Sequence, residues 1–210
     1  MTRDQRNLVT MQVRINHEKM LYYIRLKLSN VFVLLSIALF ITPMKVINAF
    51  AKSTSPTKAM DAETVLNNMV DSYHKGNGDA KPSLRTFGTV LNACAYTDNG
   101  SKKEKAAAFK VARRCFKEII SGDIGQPNSI TFSLFILSCI KLVPPGTKRD
   151  QLLSSVFDEC CKRGLVDVKI ILDIRRSSPL LRRKLLQSAN LENGSIHIND
   201  IPAEWRSNIR

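Results

Sequence analysis

Apolar residues recur every three or four positions along most of the chain after Met60, and this spacing constrains the fold more than any other feature. Such spacing places apolar side chains on one face of an α-helix. It predicts seven helices, at about residues 62–73, 87–95, 108–119, 129–143, 152–160, 168–172 and 181–186, separated by breaks rich in Gly, Pro and Asn. No segment alternates polar and apolar residues over six positions. We therefore expect an all-α fold of short antiparallel hairpins.

One pattern occurs twice in the sequence. Pro82 to Cys94 and Pro127 to Cys139 share Pro, Thr, Phe and Cys at matching positions, 45 residues apart. A repeating unit of two helices is typical of helical solenoids, in which each hairpin buries its apolar face against the next hairpin. The sequence thus predicts a short α-solenoid.

Residues 1–60 have the character of a targeting segment. Val31–Ile41 is uncharged and apolar, and Arg25 and Lys27 precede it. Because a membrane span needs about 20 apolar residues, this length suits the hydrophobic region of a signal peptide. Ala49–Ala51 is a candidate cleavage site, and the residues up to Met60 are basic and hydroxylated, as in transit peptides. A signal followed by such a stretch resembles the bipartite presequences of algae with secondary plastids, which favours a plastid location.

Three alternatives for this segment stay open. An uncleaved signal at residues 31–41 would anchor the protein in a membrane or keep it in the secretory pathway. In a second alternative, the segment is no signal and contains a buried N-terminal helix. Translation from Met11 or Met20 would shorten the long region before the apolar stretch.

The positive charge of the chain is concentrated in a few places. Residues 1–52 contribute +6 of the formal net charge of +14. Two clusters account for much of the remainder: Lys102, Lys103, Lys105, Lys110, Arg113, Arg114 and Lys117 in the first, and Arg175, Arg176, Arg182, Arg183 and Lys184 in the second. Basic surfaces of this kind favour polyanionic partners.

The residue types that commonly act in catalysis or bind metals do not occur here at the spacings that such sites require. The five cysteines, Cys94, Cys115, Cys139, Cys160 and Cys161, contain no Cys-x-x-Cys pair, and four of them lie on apolar helical faces. We expect buried, reduced thiols. The three histidines are scattered, with no second ligand at metal spacing. The sequence therefore predicts no catalytic residues, no metal and no cofactor.

Several segments resemble pentatricopeptide repeat proteins of the algal organellar type. Lys81–Ser83 and Gln126–Asn128, each followed by Thr-Phe and an apolar helix, are similar to the junctions between repeats in that family. Residues 157–166 and 201–208 are similar to the terminus of a group of algal members. The resemblance implies a right-handed α-solenoid at 61–176 and a C-terminal cap and tail at 177–210. The 45-residue unit is longer than the family's typical repeat, and we expect the extra length at residues 98–103 and in a longer second helix.

The resemblance also implies a function. It implies a non-catalytic protein that binds single-stranded RNA and acts in organellar RNA processing, stability or translation, with no small-molecule substrate. By resemblance, Gly88 with Asn128 in the first full repeat and Ser133 in the second would face the bases. The candidates for contact with the RNA backbone are Lys103, Lys110, Arg113, Arg114 and Lys117. A protein-interaction scaffold and an accessory subunit among other proteins of an RNA-processing complex are the alternatives.

Overall fold

A computed structural model describes residues 42–97, 99–187, 190–191 and 194–209. Within these residues the fold is all-α, as predicted, with eight α-helices and no strand. The helices are α1 (Pro43–Lys52), α2 (Lys58–His74), α3 (Leu84–Ala95), α4 (Lys102–Ser121), α5 (Ser129–Leu142), α6 (Thr147–Lys162), α7 (Val168–Arg175) and α8 (Pro179–Leu186). Short 3₁₀ helices occur at Gly78–Ala80, Ile198–Asp200 and Ala203–Trp205.

The seven helices predicted from apolar spacing are present as α2 to α8. Their ends follow from local sequence. Gly122, at φ +87°, ends α4, because glycine adopts a left-handed conformation without steric cost. Gly164, at φ +64°, follows the end of α6, where Leu165 N donates to Cys160 O (3.1 Å) and Gly164 N donates to Cys161 O (2.9 Å). These two hydrogen bonds form a Schellman motif.

Helix α1 lies within the region that sequence analysis assigned to the targeting segment. Its side chains Val46 and Ile47 are fully buried, and Phe50 is 3% exposed. It packs against α2 and α3. The helical core therefore begins before residue 61, and cleavage at Ala49–Ala51 would cut through a core helix. Of the alternatives considered above, a buried N-terminal helix describes residues 43–52, while Val31–Ile41 lies outside the described residues.

The helices pack in a regular order. Each forms a close pair with its neighbour in the hairpins α1–α2, α3–α4, α5–α6 and α7–α8. The odd-numbered helices, which we call the first row, also contact one another in the order α1, α3, α5, α7. In the second row, formed by the even-numbered helices, α2 contacts α4 and α6 contacts α8. Each hairpin thus buries its apolar faces against the next.

Aromatic side chains connect the second hairpin to the third. The rings of Phe116 in α4 and Phe135 in α5 stack with centroids 4.0 Å apart and planes at 5°. Phe116 also meets Phe132 edge to face at 5.4 Å. Because offset-stacked and edge-to-face pairs add attraction beyond burial, this cluster fixes α4 against α5.

The repeated Pro-polar-x-x-Thr-Phe pattern is a helix start. Ser83 Oγ accepts a hydrogen bond from Thr86 N (3.3 Å), and Ser83 N donates to Thr86 Oγ1 (3.2 Å), which forms a capping box at α3. At α5, Asn128 Oδ1 accepts from both Thr131 N (3.0 Å) and Thr131 Oγ1 (3.1 Å). The Phe after each Thr is buried. The pattern therefore recurs because each first-row helix needs an N-cap beside a core aromatic residue.

Replacing Asn128 by Ala is expected to lower the free energy of unfolding by about 1 kcal/mol, because Thr131 N loses its cap acceptor. Urea denaturation followed by circular dichroism measures the change. The matched control is Asn128→Asp, which keeps an acceptor oxygen and places a negative charge at a helix N-terminus. It should retain wild-type stability, and equal losses in both variants would refute the capping role.

The C-terminal tail docks on the end of α6. Phe157 in α6 meets Trp205 edge to face, with ring centroids 5.5 Å apart. Val166 N donates to Trp205 O (2.8 Å), and Asn208 N donates to Gly164 O (2.9 Å). The two segments that carried the C-terminal resemblance, 157–166 and 201–208, are thus one packed unit.

Candidate nucleic-acid interface

A cleft of about 590 Å³ opens on the first row, between α1, α3 and the start of α5, and its apolar lining consists of Leu84, Ile130 and Leu134. Its polar lining consists of Asn48, Arg85, Thr89, Asn92, Asn128 and Thr131. Arg85, Gly88, Thr89 and Asn92 share one face of α3, because they are three or four residues apart. This face lies opposite the buried face of the helix, so the cleft is open to solvent.

Gly88 and Asn128, which the family resemblance paired, both line this cleft. A Cβ atom added at Gly88 would have no heavy atom within 4 Å, so the glycine leaves open space in the cleft. Asn128 is exposed, and its cap uses only the amide oxygen. Its Nδ2 group is therefore free to donate to a ligand.

Ser133 is in a different environment. It is 3% exposed and accepts a hydrogen bond from Lys169 Nζ of α7. Lys169 also pairs with Asp173 Oδ2, at 3.1 Å. Because α7 packs against α5 at this point, a base cannot reach Ser133 while Lys169 stays in place. The structure thus provides no support for the base contact expected at this residue.

A second cleft, of about 810 Å³, adjoins the first. Its lining includes Gln126, Ser129, Arg163, Leu165, Asn208 and Ile209. Asn128 and Ile130 line both clefts. Ile130 is 63% exposed, so an aliphatic side chain stands where the two clefts meet. The first row and the docked tail therefore present two adjoining clefts that polar and apolar side chains line together, with Ile130 exposed between them.

The basic cluster on α4 lies in the second row. Lys103, Lys110, Arg113 and Lys117 are exposed. Arg114 is exposed as well, but it forms a salt bridge with Glu63 Oε1 of α2. Since α3 and α4 turn their buried faces toward a shared core, the cleft face of α3 and the outer face of α4 point away from each other. The structure does not bring the base-facing and backbone-facing candidates onto one surface.

Several members of the second basic cluster contact other parts of the chain. Arg175 donates to Leu191 O and Gly194 O, both at 2.7 Å, and thereby holds the start of the tail. Lys184 Nζ donates to Ser154 Oγ (3.3 Å), and Arg176 lies 3.8 Å from Asp173 Oδ1. Part of this cluster therefore stabilises the C-terminal end of the fold.

Sequence reasoning missed most of the residues that line the clefts, among them Asn92, Ile130 and Asn48. Asn92 lies four residues after Gly88 on the same helical face, and that spacing is the signal that identifies it. Ile130 lies two residues after the N-cap of α5. Because it is an apolar residue outside the core, its place at the cleft can be recognised only once the start of the helix is known. Asn48 belongs to α1, so its role depends on a helix that the sequence analysis left as one alternative.

Four of the five cysteines are buried, as predicted for those on apolar helical faces. Cys94, Cys115, Cys139 and Cys160 are buried, and all five cysteines are free. Desolvation raises the pKa of Cys115 and of Cys139 to about 12, so both remain neutral near pH 7. Within the ranges that the structure covers, no group of three or more His, Cys, Asp or Glu side chains is placed to hold a metal ion.

No protein-family model, curated protein or solved structure matches this chain. Among the helices described here, none combines the length and apolar character needed to cross a membrane.

Proposed function

We propose that this protein is a short α-solenoid that binds single-stranded RNA along its first row, without catalysis, and acts in organellar RNA processing, stability or translation. The successive contacts of α1, α3, α5 and α7 support a solenoid, because each hairpin packs on the next one along the chain. The proposal agrees with the resemblance of the repeat junctions to pentatricopeptide repeat proteins.

The observation that carries this proposal is the pair of adjoining clefts with Asn and Thr side chains on an open face. Side-chain amides both donate and accept hydrogen bonds, so they suit the edges of unstacked bases. Ile130 offers an apolar surface to a base face at the meeting point of the clefts. The space above Gly88 admits a base close to α3.

Filling the first cleft tests the proposal. Gly88 sits in a helix without a positive φ, and nothing lies near its missing Cβ, so Gly88→Leu should fold as the wild type does. The added side chain should weaken binding of a fluorescent, randomised single-stranded RNA at least tenfold, because it occupies the space above α3. Fluorescence anisotropy measures the affinity at raised salt, where binding through phosphate contacts alone is weak and contacts in the cleft dominate.

The matched controls are Gly88→Ala and Asn68→Leu. Alanine adds only a methyl group at the same position, and Asn68 is an exposed residue of α2 in the second row. Both controls should bind RNA as the wild type does. Wild-type affinity in Gly88→Leu would refute binding in the cleft, and absence of RNA binding in the wild type would refute the function.

A protein-interaction scaffold is the second candidate. Ile130, at 63% exposed, and Leu180, at 79%, are large apolar side chains that a protein partner would cover. This candidate also includes an accessory subunit of an RNA-processing complex. Failure of the wild-type protein to bind RNA, together with capture of a partner that Ile130→Ser abolishes, would favour it.

Delivery to a plastid through a bipartite signal is part of the proposal. Because α1 is a core helix, we place the end of any removed leader before Thr42 rather than at Ala49–Ala51. The helical body from α1 onward then stays intact after processing. An uncleaved signal at residues 31–41, which would leave the protein membrane-anchored or in the secretory pathway, is the alternative.

A further inference from the structure

The outer face of α4 carries a straight row of basic side chains. Lys103, Lys110, Arg113 and Lys117, which we call the outer stripe, are seven, three and four residues apart and therefore lie along one side of the helix. From Lys103 to Lys117 the helix rises about 21 Å. At about 3.4 Å per nucleotide in a stacked strand, this length covers about six phosphates.

The charge of the outer stripe is not neutralised by the fold. None of the ion pairs found in the described ranges involves these four residues. The two carboxylates of α4 itself, Glu104 and Glu118, lie on other sides of the helix. Glu104 Oε2 accepts a hydrogen bond from Ser101 N (2.7 Å) in the capping box of α4, which lowers its pKa and keeps it ionised at the helix start.

An RNA phosphate backbone fits the outer stripe better than a membrane surface does. A helix that lies in a membrane interface needs an apolar face free to enter the lipid. The apolar face of α4, with Val111, Cys115 and Ile119, is buried in the protein core. What α4 offers to solvent is rigid, positively charged and nearly free of apolar residues, which suits contact with phosphates.

The outer stripe and the first-row clefts lie on opposite sides of the same hairpin. The cleft residues of α3 and the outer stripe of α4 are on exposed helical faces that point away from the shared core. A short strand in the clefts cannot reach the outer stripe without passing around the edge of the array. The two are therefore separate surfaces.

We propose that the outer stripe is a second RNA-binding surface, specific for the phosphate backbone, and that one molecule holds two RNA segments at once. The clefts would hold one unpaired segment by its bases, and the outer stripe a second segment without regard to sequence. This arrangement gives the protein an RNA-bridging activity, which would bring distant segments together. The inference rests on the proposed RNA binding in the clefts.

The test uses full-length protein and a labelled octamer of single-stranded RNA, with stoichiometry from titration at low salt. The wild type should bind two octamers per chain. The stripe variant combines Lys103→Gln, Lys110→Gln, Arg113→Gln and Lys117→Gln, and it should bind one. For the site that the wild type has and the stripe variant lacks, log affinity plotted against log salt concentration should have a slope of about −0.7 per phosphate contact.

A bridging measurement completes the test. Two non-complementary octamers with donor and acceptor dyes should show energy transfer with the wild type, and none with the stripe variant or with Gly88→Leu. The charge-matched control, with exposed lysines changed elsewhere, is Lys52→Gln, Lys75→Gln, Lys148→Gln and Lys162→Gln. It should keep both sites and the energy transfer. Circular dichroism verifies that all variants are folded.

The outcomes separate this inference from the proposed function. Two octamers bound by the stripe variant would overturn the second surface. A single octamer on the wild type, lost in Gly88→Leu, would overturn the second surface and leave the cleft function standing. A single octamer lost only in the stripe variant would refute binding in the clefts. Binding of anionic vesicles without any RNA binding would overturn both.

Discussion

A chain that begins at Ser53 and therefore lacks α1 is expected to lose most of its stability, whereas a chain that begins at Thr42 should fold. Val46, Ile47 and Phe50 are each buried to 97% or more. Burial of such a side chain contributes about 1.5–3 kcal/mol, so losing the three costs about 4.5–9 kcal/mol. A domain is stable by about 5–15 kcal/mol in total. Thermal and urea denaturation of the two chains, followed by circular dichroism, measures the loss.

Losing α1 also lowers the free energy of unfolding in a second way, because the helices that pack against it become exposed. Helix α1 covers apolar surface on α2 and α3, and that surface would face water or promote aggregation. A graded control is Phe50→Ala in the full-length chain, which should lose about 3–5 kcal/mol through the cavity it leaves. Equal stability of the chains that begin at Thr42 and Ser53 would contradict the packing of α1.

The same helix bears on processing in the cell. If the leader ends before Thr42, N-terminal sequencing of the protein isolated from its compartment should find a start upstream of Pro43. A mature start between Phe50 and Lys52 would leave a body without α1 and contradict the placement of the leader. The sequencing result and the denaturation result are independent, so each tests the role of α1 separately.

Apolar spacing predicted seven helices, because it reflects burial on one face, which is a local property. Apolar spacing alone did not decide whether α1 is a core helix or part of a targeting segment. Val46, Ile47, Phe50 and Ala51 have helical spacing, but the helix has only ten residues and follows the more apolar stretch 31–41. The small residues around Phe50 also suit a protease site. Packing against α2 and α3 makes α1 a core helix. That tertiary contact cannot be predicted from the local sequence.

The candidate site was predicted in part for a similar reason. Gly88 and Ser133 occupy matching positions of the two repeats, yet only Gly88 lies in a cleft. Ser133 is covered because α7 returns to pack on α5 and places Lys169 over it. This contact joins residues far apart in sequence, so matching positions in a repeat acquire different environments near the end of an array. The outer stripe, by contrast, follows from the helical spacing of α4 alone.

Replacing Gly164 by Ala is expected to destabilise the protein by about 3 kcal/mol. A left-handed conformation costs about 1–2 kcal/mol for a residue with a side chain. The new Cβ would also meet the Ser207 hydroxyl and lie 3.2 Å from Ser207 N and 3.1 Å from Asn208 N. The tail must then move, and the hydrogen bond from Asn208 N to Gly164 O would be lost, at about 1 kcal/mol. Urea denaturation measures the total.

Gly122→Ala separates the two causes. Gly122 also has a positive φ, +87°, but nothing lies within 4 Å of an added Cβ, so this variant should lose only about 1–2 kcal/mol. Trp205 is the single tryptophan and packs on Phe157, so its fluorescence reports tail docking. Gly164→Ala should shift the emission to longer wavelength before the helices unfold, and Gly122→Ala should not. Equal losses with unchanged emission in both variants would mean that the tail does not depend on the close approach at Gly164.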